Sequence, residues 1–184
     1  LMNDFGFIKS KQYKKNNGGN MGNLFNGAEF FEMMAANEKA VGDLYRFLAK
    51  DAKFGGKFFE NMAADEDRHY GIYTSLLKKY QGKKDLMVEL AEDRKSYMDL
   101  LIKNNYLSDP EKLKERAANA KSKEDIFDIA ERIERDSVMF TQEMIDLFPD
   151  LDPADFKVVL QEEKKHLAMV LDKRMDSQLK SLRL

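Results

Sequence analysis

From Gly27 onward, apolar side chains recur at three- and four-residue intervals. Phe30, Phe31, Met34, Val41, Leu44, Tyr45 and Leu48 mark one broad stripe, the period of a helix with a single buried face. This first helix is expected to end near Gly55-Gly56, since glycine accepts the backbone geometry of a helix stop. A second runs from about Lys57 to Tyr80 and stops at Gly82. A third segment, roughly Asp85 to Asn105, reads as an amphipathic helix through Leu86, Val88, Leu90, Tyr97, Leu100 and Leu101. Ser108-Asp109-Pro110 places a cap before a proline at a helix start, which opens a short helix around Glu111 to Ala120. Ser122-Lys123-Glu124-Asp125 has the form of a capping box and opens a helix to about Leu147, broken by Pro149. Asp152-Pro153-Ala154-Asp155 starts the last helix, which can continue towards Leu182.

Four long helices in two close-coupled pairs, joined by roughly forty residues of helical connection, describe an all-α four-helix bundle. The long crossover falls between helices 2 and 3. The stretch before Gly27 has a different character. Lysines stand at 9, 11, 14 and 15, followed by Asn16-Asn17-Gly18-Gly19-Asn20, a composition that buries too little surface to offset its ordering entropy. Residues 1–26 are therefore expected to be a flexible tail, and residues 27–184 the bundle domain.

Composition narrows the possible functions. With 184 residues the chain holds one core of ordinary size. Charged residues make up 35% and the net charge is −2 with both signs interspersed, so the basic footprint of a nucleic-acid binder is missing. No apolar run approaches a membrane span, and the first fifteen residues lack the apolar core of a signal peptide. A cytoplasmic protein without nucleic-acid or membrane partners is expected. The absence of cysteine excludes thiolate metal sites, catalytic thiols and an iron–thiolate relay within these residues. Most of the eleven methionines fall at helix-core positions such as Met34, Met62, Met139 and Met169, where a flexible thioether fills gaps.

The two histidines change the picture most. Each sits three residues after a glutamate, in Glu66-Asp67-Arg68-His69 and Glu163-Lys164-Lys165-His166. Residues three apart share a helix face, and carboxylate and imidazole are both ligands for transition metals. The two motifs also share a register. Glu66 to Glu163, His69 to His166 and Phe59 to Phe156 are each 97 residues apart. A dinuclear carboxylate site needs one further glutamate from each of the other two helices. Glu38 and Glu134 answer, 96 residues apart and 28 and 29 residues before their Glu-x-x-His partners.

With these glutamates the pattern resembles the rubrerythrin-like branch of the ferritin-like di-iron carboxylate superfamily, in a form lacking the rubredoxin domain. The marks are Glu38-x6-Tyr45, Glu66-x-x-His69, Ala130-Glu131-Arg132-Ile133-Glu134-Arg135-Asp136-Ser137 and Glu163-x-x-His166, spread over residues 27 to 180. The resemblance implies a ferritin-like bundle in which Glu38, Glu66, His69, Glu134, Glu163 and His166 hold two metal ions. Either Glu66 and Glu163 or Glu38 and Glu134 would bridge them. It implies two irons, with manganese or a mixed iron–manganese pair as the variants, and reduction of peroxide or activation of oxygen in oxidative-stress defence. Electrons would come from an external donor protein, and the chain is expected to form a homodimer. The alternative is a metal store or sensor without turnover.

Four further residues are candidates for supporting roles. Asp65 and Glu162, each four residues before a histidine, are expected to accept the outer ring N–H of that histidine. Tyr45, two turns after Glu38, is placed to hydrogen-bond a ligand. Glu131, one turn before Glu134, is an optional ligand by the resemblance and otherwise a surface charge. Thr141 stands where the second half would repeat Tyr45, so the halves are not chemically equivalent.

Overall fold

The computed structural model describes residues 24–50, 55–80, 86–150 and 153–181. The elements are β1 (Leu24–Asn26), α1 (Gly27–Ala49), α2 (Gly56–Tyr80), β2 (Met87–Glu89), α3 (Glu92–Lys103), a 3-10 turn (Tyr106–Ser108), α4 (Pro110–Ala118), α5 (Lys123–Leu147) and α6 (Pro153–Ser181). α1, α2, α5 and α6 form the expected all-α four-helix bundle, and the segment from β2 to α4 carries the crossover. The expected stop at Gly82 and the helix end towards Leu182 lie outside the described residues, as does the tail up to residue 23.

Local chemistry sets the helix starts. Asn26 caps α1 by accepting from the Ala28 N–H at 3.1 Å. Asp109 accepts from the Lys112 N–H at 3.1 Å, with Pro110 in the first turn where no N–H is required. Ser122 and Asp125 form the full reciprocal capping box, at 3.1 and 2.9 Å. Gly55 turns the chain between α1 and α2 with φ of 111°, which a residue with a Cβ adopts only under strain.

Two expectations are corrected at the other end of the molecule. The segment from Asp85 is not helical at its start: Met87–Glu89 is a strand, antiparallel to β1 with Phe25 opposite Val88. Leu86 and Leu90 are buried while Met87 and Glu89 are exposed, a period of two that belongs to a strand. α3 begins only at Glu92, and its Tyr97 and Leu100 face outward while Met98 is buried. Residues 24–26, assigned from composition to the tail, form β1, with the Phe25 ring against Phe30.

Gly27 sits where this ribbon meets the bundle. A Cβ there would lie 2.3 Å from the Phe148 ring and 2.8 Å from the Leu86 carbonyl oxygen. Alanine ordinarily favours a helix by up to about 1 kcal/mol over glycine. Here the obstruction includes backbone, so overpacking at about 1–3 kcal/mol prevails. Gly27→Ala is expected to lower the urea midpoint of unfolding; an unchanged or higher midpoint would contradict this packing.

The core has two apolar clusters with a polar layer between them. One gathers Phe30, Phe31, Met34, Tyr73, Phe140, Met144 and Phe156, the other Leu44, Tyr45, Phe59, Met62, Ile126, Phe127 and Val170. α1 and α6 pass from the first cluster to the second, and α2 and α5 run the opposite way. The internal repeat is visible in the packing. Phe31 stacks on Phe156 at 5.4 Å, and Phe127, 96 residues after Phe31, stacks on Phe59 at 6.0 Å.

Candidate metal centre

The polar layer is where the four helices turn their acids inward. Glu38, Glu66, Glu134 and Glu163 are buried with His69 and His166, none more than 1% exposed. Charged side chains almost never lie this deep unless something pairs them. They form two overlapping groups, Glu38–Glu66–His69–Glu163 and Glu66–Glu134–Glu163–His166, each with one ligand atom per residue within 4.8 Å of the others. Glu66 and Glu163 belong to both groups; Glu38 and Glu134 belong to one each.

Both imidazoles point Nδ1 into the layer. His69 Nδ1 lies 2.8 Å from Glu163 and 3.2 Å from Glu66, and His166 Nδ1 lies 3.3 Å from Glu66 and 3.6 Å from Glu134. The outer nitrogens point away. His69 Nε2 donates to Glu162 at 2.9 Å, and His166 Nε2 donates to Asp65 at 3.1 Å. This corrects the expected pairing, since each acid serves the histidine of the other motif. The reason is geometric: with Nδ1 turned to the centre, Nε2 leans across the α2–α6 seam rather than back along its own helix.

Burial raises every one of these carboxyls, and the histidines decide which stays ionised. For Glu66 the desolvation is overcome by hydrogen bonds and charge from His166 and His69, bringing it down to about 2. Glu134 is pushed up to about 8 by burial, and the nearby charges of Glu66 and Glu163 add to it. Burial and the neighbouring carboxylates also raise Glu38 and Glu163. Desolvation opposes charging of the imidazoles, yet the surrounding glutamates raise both, His166 to about 11. Without a metal, the layer therefore balances its charge with protons.

Unpaired atoms test whether cations fit. Both oxygens of Glu38, Glu134 Oε2 and Glu163 Oε2 are buried without a hydrogen-bond partner, and Glu163 Oε1 and Glu66 Oε1 have only the poorly aligned imidazole contacts given above. Leaving so many acceptors unsatisfied costs several kcal/mol by the usual price of about 1–3 kcal/mol each. All belong to the two groups, and a pair of cations would satisfy them together. An oxygen-rich set with one nitrogen per position suits iron or manganese.

Tyrosines bound the layer on both sides. The Tyr45 hydroxyl, fully buried, donates to Glu134 rather than to Glu38 on its own helix. On the other side the fully buried Tyr73 hydroxyl shares a hydrogen bond with Thr141 at 3.1 Å. Burial raises both phenols, with Glu134 the largest charge acting on Tyr45 and Glu38 on Tyr73. Tyr73 was missed from the sequence. It replaces, from α2, the ring that Thr141 does not supply from α5, and its spacing one turn after His69 was the available signal. Glu131 is not among the clustered acids: it is ion-paired with Arg135 at 2.8 Å and with Arg174.

A family model described as Rubrerythrin matches residues 29–173, from the first turn of α1 into α6. The chain belongs to the rubrerythrin family. Searches of curated proteins and of solved structures give no significant match. Rubrerythrin membership implies a ferritin-like bundle with a di-metal centre, and the two overlapping groups are where this rubrerythrin has the residues for it. No helix among the described residues is long and apolar enough to cross a membrane.

Proposed function

We propose that this protein reduces peroxide at a di-iron centre, with electrons from an external donor protein. Glu38 and His69 would hold one ion, Glu134 and His166 the other, and Glu66 and Glu163 would bridge. The observation that carries this reading is the sharing of Glu66 and Glu163 between both groups in a fully buried layer. Shared carboxylates hold two ions close enough to act as a pair, and they can shift between bridging and terminal binding as charge changes. When bound, a ferrous pair supplies the two electrons that cleave the O–O bond of peroxide.

The chain supplies the surroundings. Two protons must accompany those electrons to give two waters, and Tyr45 Oη holds one at Glu134 inside the layer. Asp65 and Glu162 keep the Nε2 protons on the imidazoles, so that Nδ1 faces inward as an acceptor. The apolar clusters above and below keep bulk water from the buried layer, which strengthens the contact of Tyr45 with Glu134 inside it.

Anaerobic loading with ferrous iron followed by hydrogen peroxide tests the proposal. One peroxide should be consumed per two ferrous ions oxidised, and a low-potential donor protein with its reductase should sustain repeated turnover. Iron that is oxidised once and retained in the presence of that donor would instead indicate a store, and would overturn the reading.

A further inference from the structure

Arg68 stands between the two Glu-x-x-His motifs in a way that neither motif explains. Its Nη2 donates to Asp65 at 2.8 Å and its Nη1 to Glu162 at 2.5 Å. Those acids in turn accept from the two histidines. The result is an unbroken chain from one buried imidazole to the other: His166 Nε2, Asp65, Arg68, Glu162, His69 Nε2. Every link but the histidines reaches solvent, Arg68 most of all.

We propose that Arg68 is a positioning residue that clamps both histidines at once and so couples the two metal positions; this rests on the dinuclear reading above. The planar guanidinium presents two donors in a fixed fork, which matches two carboxylates on adjacent helices. Fixing Asp65 and Glu162 fixes the direction of both Nε2–H bonds, and with them the aim of both Nδ1 atoms. As plain surface ion pairs these contacts would contribute little, because solvent screens them. Their weight lies in what they orient, since losing the partner of a ligating histidine costs ten- to a hundredfold in metal affinity.

The internal repeat sharpens the assignment. The position equivalent to Arg68, 97 residues on, is Lys165, which is exposed. An ammonium is a point charge without the fork. One arginine on α2 therefore serves both halves, so the coupling is a single device and not a duplicated one. Arg46 offers a matched comparison: it is as exposed as Arg68 and likewise bridges two acids, Asp43 at 2.8 Å and Asp67 at 2.9 Å, neither bonded to a histidine.

The test uses the fact that the chain has only two histidines. Zinc is redox-silent and diamagnetic, so the full chain loaded with zinc should show two ring N–H signals in a nitrogen–proton correlation spectrum. Arg68→Gln is expected to speed solvent exchange of both ring protons about tenfold or more, and to weaken zinc binding by at least about tenfold. Arg46→Gln should do neither, and Arg68→Lys, a point charge without the fork, should retain slow exchange at one ring but not at both. The proposal is overturned if Arg68→Gln leaves both signals unchanged, if it alters only one, or if Arg46→Gln has the same effect. Should Arg68→Gln not fold, Arg68→Lys decides, and identity with wild type at both rings counts against the clamp. If wild type takes up no zinc, the dinuclear reading has failed instead. The same two ring signals in metal-free protein then decide the clamp by the same comparisons.

Discussion

Replacing Glu66 or Glu163 by alanine is expected to strip both metal ions from the chain, whereas Glu38→Ala or Glu134→Ala is expected to leave one. Glu66 and Glu163 are members of both four-residue groups, and Glu38 and Glu134 of one each. Losing a shared carboxylate removes one donor and one negative charge from each position together. Losing an outer carboxylate injures one position and leaves four donors at the other. A missing ligand should cost at least the roughly hundredfold upper range found when an outer partner of a ligand is lost. Metal content per chain after gel filtration distinguishes the cases, with circular dichroism to show that the helices persist. Folding is not the limiting concern for three of the four variants. Burial and like charges already raise Glu38, Glu134 and Glu163 in the metal-free layer, so truncating one relieves crowding. Glu66 differs, because both imidazoles hold it ionised, and Glu66→Gln is the gentler companion. Retention of one ion by Glu66→Ala, or loss of both by Glu38→Ala, would mean that the outer carboxylates bridge.

That division of labour was not legible in the sequence, and the reason is general to helical bundles. Register along one helix is periodic, so the offsets of 96 and 97 residues sufficed to find Glu38 and Glu134 from the two histidine motifs. Which acid reaches across a seam depends on how the helices are aligned and rotated, and no spacing encodes that. Both readings of the open bridging question satisfied the same periodicity; the three-dimensional overlap at Glu66 and Glu163 supports that pair as the proposed bridges, and the metal content of the four variants tests it. Asp65 and Glu162 show the same limit. They were found by their i−4 spacing, yet each bonds the histidine of the opposite helix. Arg68 was hidden for a related reason, since one arginine inside a charged tetrapeptide looks like solvated surface until two helices place acids on either side of it. The strand at Met87–Glu89 was missed on different grounds. Leu86, Val88 and Leu90 satisfy a period of two, but three residues are too few to distinguish it from the edge of a helical stripe. Its partner, β1, lay in a stretch that composition had assigned to a tail.

The same proton bookkeeping gives the other large effect: metal-free protein should lose stability as pH rises from about 6.5 to 8, and metal-loaded protein should not. Glu134 is raised from 4.5 to about 8. The folded state thus holds a proton that the unfolded state has released, and the associated stability is present below 4.5 and lost as pH rises through 8. His166 is raised from 6.5 to about 11, so its contribution is complete below 6.5 and is lost as pH climbs through 11. Between 6.5 and 8 both groups act in the same direction. Each extra proton bound by the folded state gives a slope of about 1.4 kcal/mol per pH unit at most. Together they should remove about 3 kcal/mol across that interval, a sizeable part of a total of roughly 5–15 kcal/mol. For a chain of this size that lowers the midpoint of thermal unfolding by about 6–12 °C. Glu66 works in the opposite sense at acid pH: lowered to about 2, it contributes stability above 4.5 that disappears as pH falls through 2. Metal-free protein should accordingly be most stable near pH 5, between these losses. Bound cations take the place of the protons, which removes the alkaline slope, and Glu134→Gln should remove its share without any metal. Thermal melts of metal-free and metal-loaded protein at half-unit pH steps decide the matter. A metal-free midpoint that is flat or rising from pH 6.5 to 8 would mean that the buried layer does not hold these protons.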